Sequence, residues 1–537
     1  MAKSRKSLPW SRQAPEGQKF DAIVIGSGMG GMTCAALLAK QGKKVLVLEQ
    51  HYVPGGFTHT FRRKGYLWDV GVHAVGEVTR KSQPGRVLHA LTDGKLKWAS
   101  LGDTYDEFYF PDGKRIDFPD SKQQFRDNLV AAFPEEEEAI DRYLELVRTT
   151  CKAMASYYMG RALPRKLGFL AGLLPGKKHP VDFSRTTWEV INELTDNPQL
   201  QTVFAAQWGY YGSIPRRSSW VMQALVVKHF WHGGYYPVDG SAAIAEHLLQ
   251  TVADAGGWTV TMADVERVDV RGNTATGVTL KDGRSFAAKQ IFSAAGVQST
   301  VKRLLPEAVA SQPWAQQVKG LRPASAHVCL YIGFKGDIRE AGAGSANKWF
   351  YDSWSLDFDA WDVSDQDNMG TADILYCSFP SLKDPHHDPG EEQRHTGEVV
   401  TFVPWEVFEP WMGTTWRKRG EEYEALKQKM HDVLLEQFLQ RMPELRDMVD
   451  YTELSTPLST DNFCRPMRGS IYGLEPTPER FAVDALRPAS PVKGLYFAGS
   501  EITSVGVIGA MMGGLMAAVA AEPMGTMKFI RGLKRPS

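Results

Sequence analysis

The first apolar run, 21–25 (Asp-Ala-Ile-Val-Ile), breaks into glycines and is followed by 29–41, where small and apolar residues dominate. A second run, 44–48 (Lys-Val-Leu-Val-Leu), ends at Glu49. The pattern predicts buried strand, helix and buried strand, one βαβ unit of about thirty residues, the length a Rossmann crossover needs. Residues 101–120 alternate (YDEFYFPDGKRIDF) and predict a hairpin turning on Pro111-Asp112-Gly113. Helix formers are dense over 121–205. The segment 258–292 reads as an antiparallel meander with turns at Gly272-Asn273 and Asp282-Gly283. Strands are predicted at 326–333, 372–379 and 399–403, and a helix over 421–441. The uncharged stretch 505–521 is as long as some membrane spans, but it holds four glycines and follows a turn. It reads as a buried helix.

Composition narrows the class. A chain of 537 residues corresponds to about three or four domain-sized units at ~150 residues each. Sixty-two basic residues balance sixty-two acidic ones, so no global field draws the protein to nucleic acid. Cys34, Cys151, Cys329, Cys377 and Cys464 are scattered without CxxC spacing, a pattern of reduced thiols in a cytoplasmic protein. The first twenty residues are polar and basic, without the apolar core of a secretory signal. His386 and His387 are adjacent in KDPHHDPGEEQRHTG and lack the i, i+4 spacing of helical ligands, so a solvated loop and no metal is expected.

Candidate chemistry begins at VIGSGMGG. Gly26, Gly28 and Gly31 form G-x-G-x-x-G between a strand and a helix. The first glycine makes the turn, the second lets backbone approach a pyrophosphate, and the third permits close packing of helix on sheet. The helix N-terminus stabilises the phosphate charge. Glu49, twenty-one residues after Gly28, ends the second strand, where a carboxylate accepts both ribose hydroxyls. Pro54-Gly55-Gly56 brings a second stretch of bare backbone against a long ligand. GLYFAGSEITSVGVIGAMMGG, near the C-terminus, supplies a strand, a turn at Gly499-Ser500-Glu501 and a helix starting near 506–510. A nicotinamide that docks and leaves does not need that last segment. A ligand whose ring system runs on beyond the pyrophosphate does, and a helix N-terminus aimed at the ring stabilises a reduced flavin. The expected cofactor is FAD.

These blocks, with PGGFTHTF, GYLWDVGVHAVG and GGYYPVDGSAAIAEHL, resemble the phytoene desaturase, carotenoid isomerase and retinol saturase superfamily of FAD-dependent oxidoreductases. The resemblance implies an α/β fold in which a discontinuous Rossmann-type FAD-binding domain (18–100, 235–300 and 485–523) carries a mixed-sheet plus helical substrate domain (101–234 and 301–484). Residues 1–17 and 524–537 are left as basic tails. By similarity Gly26, Ser27, Gly28, Gly30, Gly31, Glu49, Gln50, Gly55, Gly56 and His59 line the FAD, with Met29, Phe57 and Thr58 in the same segments. Val265 contacts the adenine through its backbone, and Ala295-Gly296 closes over the nucleotide. Gly499, Ser500 and Glu501 approach the ribityl chain, and Gly509 and Ala510 the ring. Glu501 stands where relatives often carry a shorter Asp.

The resemblance also implies a long hydrophobic unsaturated lipid, either a carotenoid-like polyene or a fatty acyl chain. Desaturation by hydride transfer to flavin, with oxygen or a membrane quinone as electron acceptor, is the expected reaction. A saturase, a redox-neutral cis–trans isomerase and a non-catalytic flavin- and lipid-binding protein are the alternatives. Aromatic residues cluster at QWGYYG (207–212) and HFWHGGYYP (229–237), which suits the wall of a lipid tunnel or an ordinary core. His73 is the candidate for a flavin hydrogen bond or a proton shuttle, or else a core histidine that shapes the site. His232, Tyr235 and Tyr236 are candidate acids. RALPRKLGFLAGLLPGKKHP (161–180) sets an apolar run between basic residues, and MKFIRGLKRPS ends the chain in the same style. Both have the composition of a segment lying on an anionic membrane, or of an amphipathic helix packed on the fold. A cytoplasmic protein on the inner face of a membrane is expected.

Overall fold

The structure is a computed structural model that describes residues 8–15, 17–162, 183–355 and 360–533. Ala22–Ile25 lies at the centre of a five-stranded parallel sheet, between Val45–Leu48 and Gln290–Ser293. Leu495–Phe497 and Trp258–Val260 form its edges. Ala22–Ile25 and Val45–Leu48 are buried at every position, which is why both read as unbroken apolar runs. Helix Met29–Lys40 covers the sheet, buried from Met29 through Ala39. Helix Gly506–Ala521 crosses it where a Cβ on Gly514 would strike the Gly30 carbonyl. Of the glycines of 505–521, Gly514 permits this close helix crossing and Gly513 permits the approach of the Gly499 turn. Among the described residues no helix is long and apolar enough to cross a membrane.

Only the middle of 258–292 is a meander. Val265–Arg271, Thr274–Leu280 and Ser285–Ala287 pair antiparallel as a separate three-stranded sheet. The flanking strands Trp258–Val260 and Gln290–Ser293 leave to pair in parallel with partners remote in sequence. Local alternation carries no record of that partner, so the expectation of one continuous meander fails at both ends.

A seven-stranded mixed sheet forms the second layer, ordered Val449–Ser455, Ala326–Phe334, His395–Val403, Ile374–Ser378, Asn347–Tyr351, Thr104–Tyr109, Arg115–Pro119. The last two are the predicted hairpin, turning with Asp112 at φ 62°. Strand His395–Val403 starts four residues before its predicted 399, because His395, Thr396 and Glu398 are buried polar positions that read as loop. Helix Glu421–Arg441 has its predicted bounds and packs Leu426, Met430, Leu434 and Phe438 with Val328, Leu330 and Ile332 in one core. An aromatic core includes Tyr105, Phe108, Trp208, Trp349, Tyr376 and Phe402, with helices Glu137–Ala162 and Trp220–His229 contributing to it. From residue 163 onward, the basic–apolar stretch 161–180 lies outside the described residues.

Candidate active site

A long cleft runs over the C-terminal ends of the parallel strands. Gly26 turns the chain at φ 90°, and a Cβ on Gly31 would strike the Gly26 carbonyl. A Cβ on Gly28 would meet nothing within 4 Å, so bare backbone faces the cleft there. Helix Met29–Lys40 begins at Gly28 with no side-chain cap and no acid in its first turn, leaving its first N–H groups for a phosphate. That uncapped, side-chain-free cradle is what a dinucleotide's pyrophosphate requires.

The loop after the second strand is fastened to the glycine turn. Glu49 Oε2 accepts from Ser27 N (2.9 Å) and Ser27 Oγ (2.6 Å), and Oε1 accepts from His51 N (2.8 Å). Three of about four acceptor positions on the carboxylate are therefore taken, leaving one for a ribose hydroxyl where two were expected. Ser27 itself is fully buried and does not line the cleft; its Oγ also accepts from Gly55 N (3.1 Å). Gln50 donates to the Phe463 carbonyl. His59 Nδ1 lies 2.6 Å from the Gly56 carbonyl, and burial holds this imidazole neutral, its pKa near 4.

The other expected cofactor residues reach the same cleft from these two segments and from three more, at 265, 295–296 and 499–510. Met29, Gly30, Gly55, Gly56, Phe57, Thr58, Val265, Ala295, Gly296, Gly499, Ser500, Glu501 and Ala510 line it; Gly31 and Gly509 do not. Glu501 Oε2 accepts from Val297 N (2.6 Å) and Gln298 N (3.1 Å). Its longer side chain is engaged across the Ala295-Gly296 turn. Residues 463–467 and 471–473, expected on the substrate side, also line the cleft.

A second cavity adjoins the first. Gly71, His73, Ile471, Tyr472, Gly506 and Val507 line both. Beyond them the wall is mainly apolar and aromatic, with Met222, Val226, Phe230, Trp349, Ile374 and Phe402, and Glu77, His229, Tyr210 and Ser504 are its polar members.

Residues 29–521 match the family model described as "Flavin containing amine oxidoreductase". The chain belongs to that family. It is 31% identical over 519 residues to an all-trans-retinol 13,14-reductase of Danio rerio, covering 93% of this chain and 85% of that one. Prolycopene isomerase 2, chloroplastic, of an Oncidium hybrid cultivar is 27% identical over 530 residues, covering 94% and 85%. In fold the chain resembles an oxidoreductase from Methanosarcina mazei, with TM-score 0.61 and 16% identity over 92% of this chain and 98% of the other. Both curated relatives fall within the superfamily read from the motifs. The protein is an FAD-dependent oxidoreductase.

In this flavin oxidoreductase the wall shared by the two cavities backs onto buried ionisable groups. His73 Nδ1 stands 3.0 Å from Glu398 Oε2. Glu398 Oε1 accepts from Asp69 N (3.0 Å), and Asp69 is bonded to Tyr236 and Ser241. Lys383 Nζ donates to the His73 carbonyl (2.8 Å), to Ser378 Oγ (2.7 Å) and to Asn347. Asn347 donates to Asp106 (2.8 Å), and Tyr210 Oη, on the second cavity, donates to the same carboxyl (2.8 Å). Burial pushes Glu398 up to about 8, Asp106 to about 7 and Asp69 to about 6, and pulls Lys383 down to about 7. His73 falls to about 3, through burial and then Lys383. At neutral pH His73 is neutral and Glu398 holds its proton, so Nδ1 and Oε2 face each other without a buried ion pair.

The three weaker sequence candidates are not at this wall. Tyr236 lies behind it with its hydroxyl on Asp69. Tyr235 pairs with Ser100 and lines neither cavity, and His232 is exposed. Sequence reading passed over Glu398, Lys383 and Asp106, and had Tyr210 only as one ring of the aromatic cluster 207–212. Lys383 sits in the segment taken for a solvated loop, yet it is 3% exposed while His386, three residues on, is exposed. Asp69 alone carried a signal, four residues before His73 in DVGVH.

Proposed function

We propose that this oxidoreductase adds hydrogen to, or rearranges, the carbon–carbon double bonds of a long hydrophobic polyene. One observation carries the reading: the cofactor cleft shares the His73 wall with an adjoining cavity faced by Val226, Phe230, Trp349 and Phe402. Aromatic and aliphatic side chains there exclude water and align a rigid unsaturated chain. When bound, FAD supplies the two-electron chemistry. Glycine-rich backbone and the uncapped helix hold its pyrophosphate. Glu398, protonated at neutral pH, stands behind His73 with Oε2 3.0 Å from Nδ1, and Tyr210, bonded to Asp106, brings a hydroxyl to the same cavity.

The activities named for the relatives, a reductase and an isomerase, favour saturation or isomerisation over the desaturation expected first. They favour a polyene over a fatty acyl chain on the same ground. In this reading the lipid is collected from a membrane surface. Residues 18–100, 235–300 and 485–523 chiefly hold the cofactor, and 101–234 and 301–484 chiefly enclose the lipid.

The test is a single anaerobic turnover started from reduced and, separately, oxidised flavoprotein, with a C40 polyene, a retinoid alcohol or a polyunsaturated phospholipid. Flavin absorbance and product mass are followed. Flavin reoxidation with a product two hydrogens heavier establishes saturation. Unchanged mass with altered retention establishes isomerisation. Bleaching of oxidised flavin with a product two hydrogens lighter overturns both in favour of desaturation. No change with any substrate rejects the reading.

A further inference from the structure

Away from both cavities, a shallow basin opens between helix Gln83–Leu91, the end of Met29–Lys40 and the C-terminal helix Pro523–Arg531. Lys40, Arg80, Arg86, His89 and Lys528 line it together with Ala90, Phe529 and Leu533. Lys40 is paired with Asp93 at 2.7 Å. Arg80, Arg86 and Lys528 have no carboxylate within 4.0 Å among the described residues, in a chain whose net charge is zero. Arg86 is instead steadied by the neutral carbonyls of Arg80 (3.2 Å) and Lys81 (3.1 Å). Such an excess of unpaired cations is repulsive unless an anion answers it.

Met524 stands one turn before Lys528 on the helix that borders the basin, and Phe529 and Leu533 line the basin while packing in part on the parallel-sheet core. Met524 is 87% exposed, the most exposed of the large apolar residues described. The helix carrying it is not a loose tail, because Gln41 Nε2 donates to Thr526 Oγ1 (3.0 Å) and to the Leu37 carbonyl (3.1 Å). Ile530 packs with Met516, Val519 and Ala162. A soluble phosphate would answer the cations but not an exposed methionine beside them. A bilayer answers both, with phosphates at the headgroups and hydrocarbon just beneath.

We propose that this basin docks the protein on an anionic lipid bilayer, with Arg80, Arg86 and Lys528 meeting headgroup phosphates and Met524 and Phe529 meeting the acyl boundary. The site is independent of the substrate reading and of the stretch 161–180.

Flotation of the flavoprotein with vesicles tests it. Binding to vesicles containing phosphatidylserine, little to pure phosphatidylcholine, and weakening with salt are expected. Arg80→Gln with Lys528→Gln lowers the affinity about thirtyfold, at roughly fivefold per cation. Met524→Asp weakens it further, and Arg80→Lys with Lys528→Arg restores it. Flavin content reports that each variant is folded. Equal binding to both vesicle types, or wild-type affinity in the double glutamine variant, overturns the proposal. So does loss of all binding in Phe169→Asp with Leu173→Asp while the basin is intact, which would place the contact at 161–180. Competition by millimolar inorganic phosphate at constant ionic strength would assign the basin to a soluble anion and overturn it too.

Discussion

In the cofactor cleft the essential atoms are largely backbone: the open face at Gly28, the N–H groups of an uncapped helix and the turns at Gly26, Gly55 and Gly499. In the adjoining cavity they are side chains gathered from afar. Tyr210, Asp106, Asn347 and Lys383 are joined by consecutive hydrogen bonds although no two stand within thirty residues in sequence. The first region is specified by short stretches whose spacing carries the geometry. The second exists only after strands Thr104–Tyr109, Asn347–Tyr351 and His395–Val403 have found their places in one sheet. Backbone cradles are therefore sensitive to an added Cβ, whereas the side-chain network is sensitive to protonation.

The sharpest break of this contrast is Gly31→Ala. Its Cβ would run into the Gly26 carbonyl, which cannot move without undoing the turn, so a loss of about 3 kcal/mol in stability and loss of bound flavin are expected. Denaturant unfolding and the flavin-to-protein absorbance ratio check it. A stable variant with full flavin would mean that helix and turn are less tightly coupled than the packing implies.

Glu398→Gln probes the network through pH. The folded Glu398 keeps its proton up to about 8, whereas its ordinary value is 4.5. Across that window the unfolded chain binds fewer protons than the folded one, so wild-type stability from this group falls as pH rises from 4.5 to 8, then levels off. Gln has no proton to lose. Glu398→Gln should gain on the wild type by up to about 1.4 kcal/mol per pH unit within the window. Parallel stability–pH curves for the two proteins would sink this reading.

Gly28→Ala separates binding from folding in the cleft. Because its Cβ meets open space, unfolding of the apoprotein should change by less than about 0.5 kcal/mol. Flavin affinity should drop about tenfold, worth about 1.4 kcal/mol, as the methyl obstructs the pyrophosphate. Titration of apoprotein with FAD measures it. The smallest effect belongs to His232→Ala: stability and turnover should stay within about 0.5 kcal/mol of wild type, since the side chain is exposed and away from both cavities. A large loss of turnover would return His232 to the site.

The sequence by itself determined the βαβ unit at the centre of the parallel sheet, the cofactor and many of the residues that line the cleft. Gly26, Gly28, Glu49, Gly55 and Gly499 lie in stretches where local backbone conformation is the function, and local conformation is written in local residues. Helix 421–441 was legible for a related reason, since helix formation is decided within a few turns. Only the tertiary structure decided that Trp258–Val260 and Gln290–Ser293 leave the meander, and that Phe463–Met467 covers the cofactor cleft. It alone showed that Lys383 and Glu398 are buried, in stretches whose polarity reads as solvated loop. Strand pairing and the burial of a charge are long-range outcomes. A lysine or glutamate has the same letter whether it faces water or a neutral histidine, and its environment is supplied by chain segments hundreds of residues away.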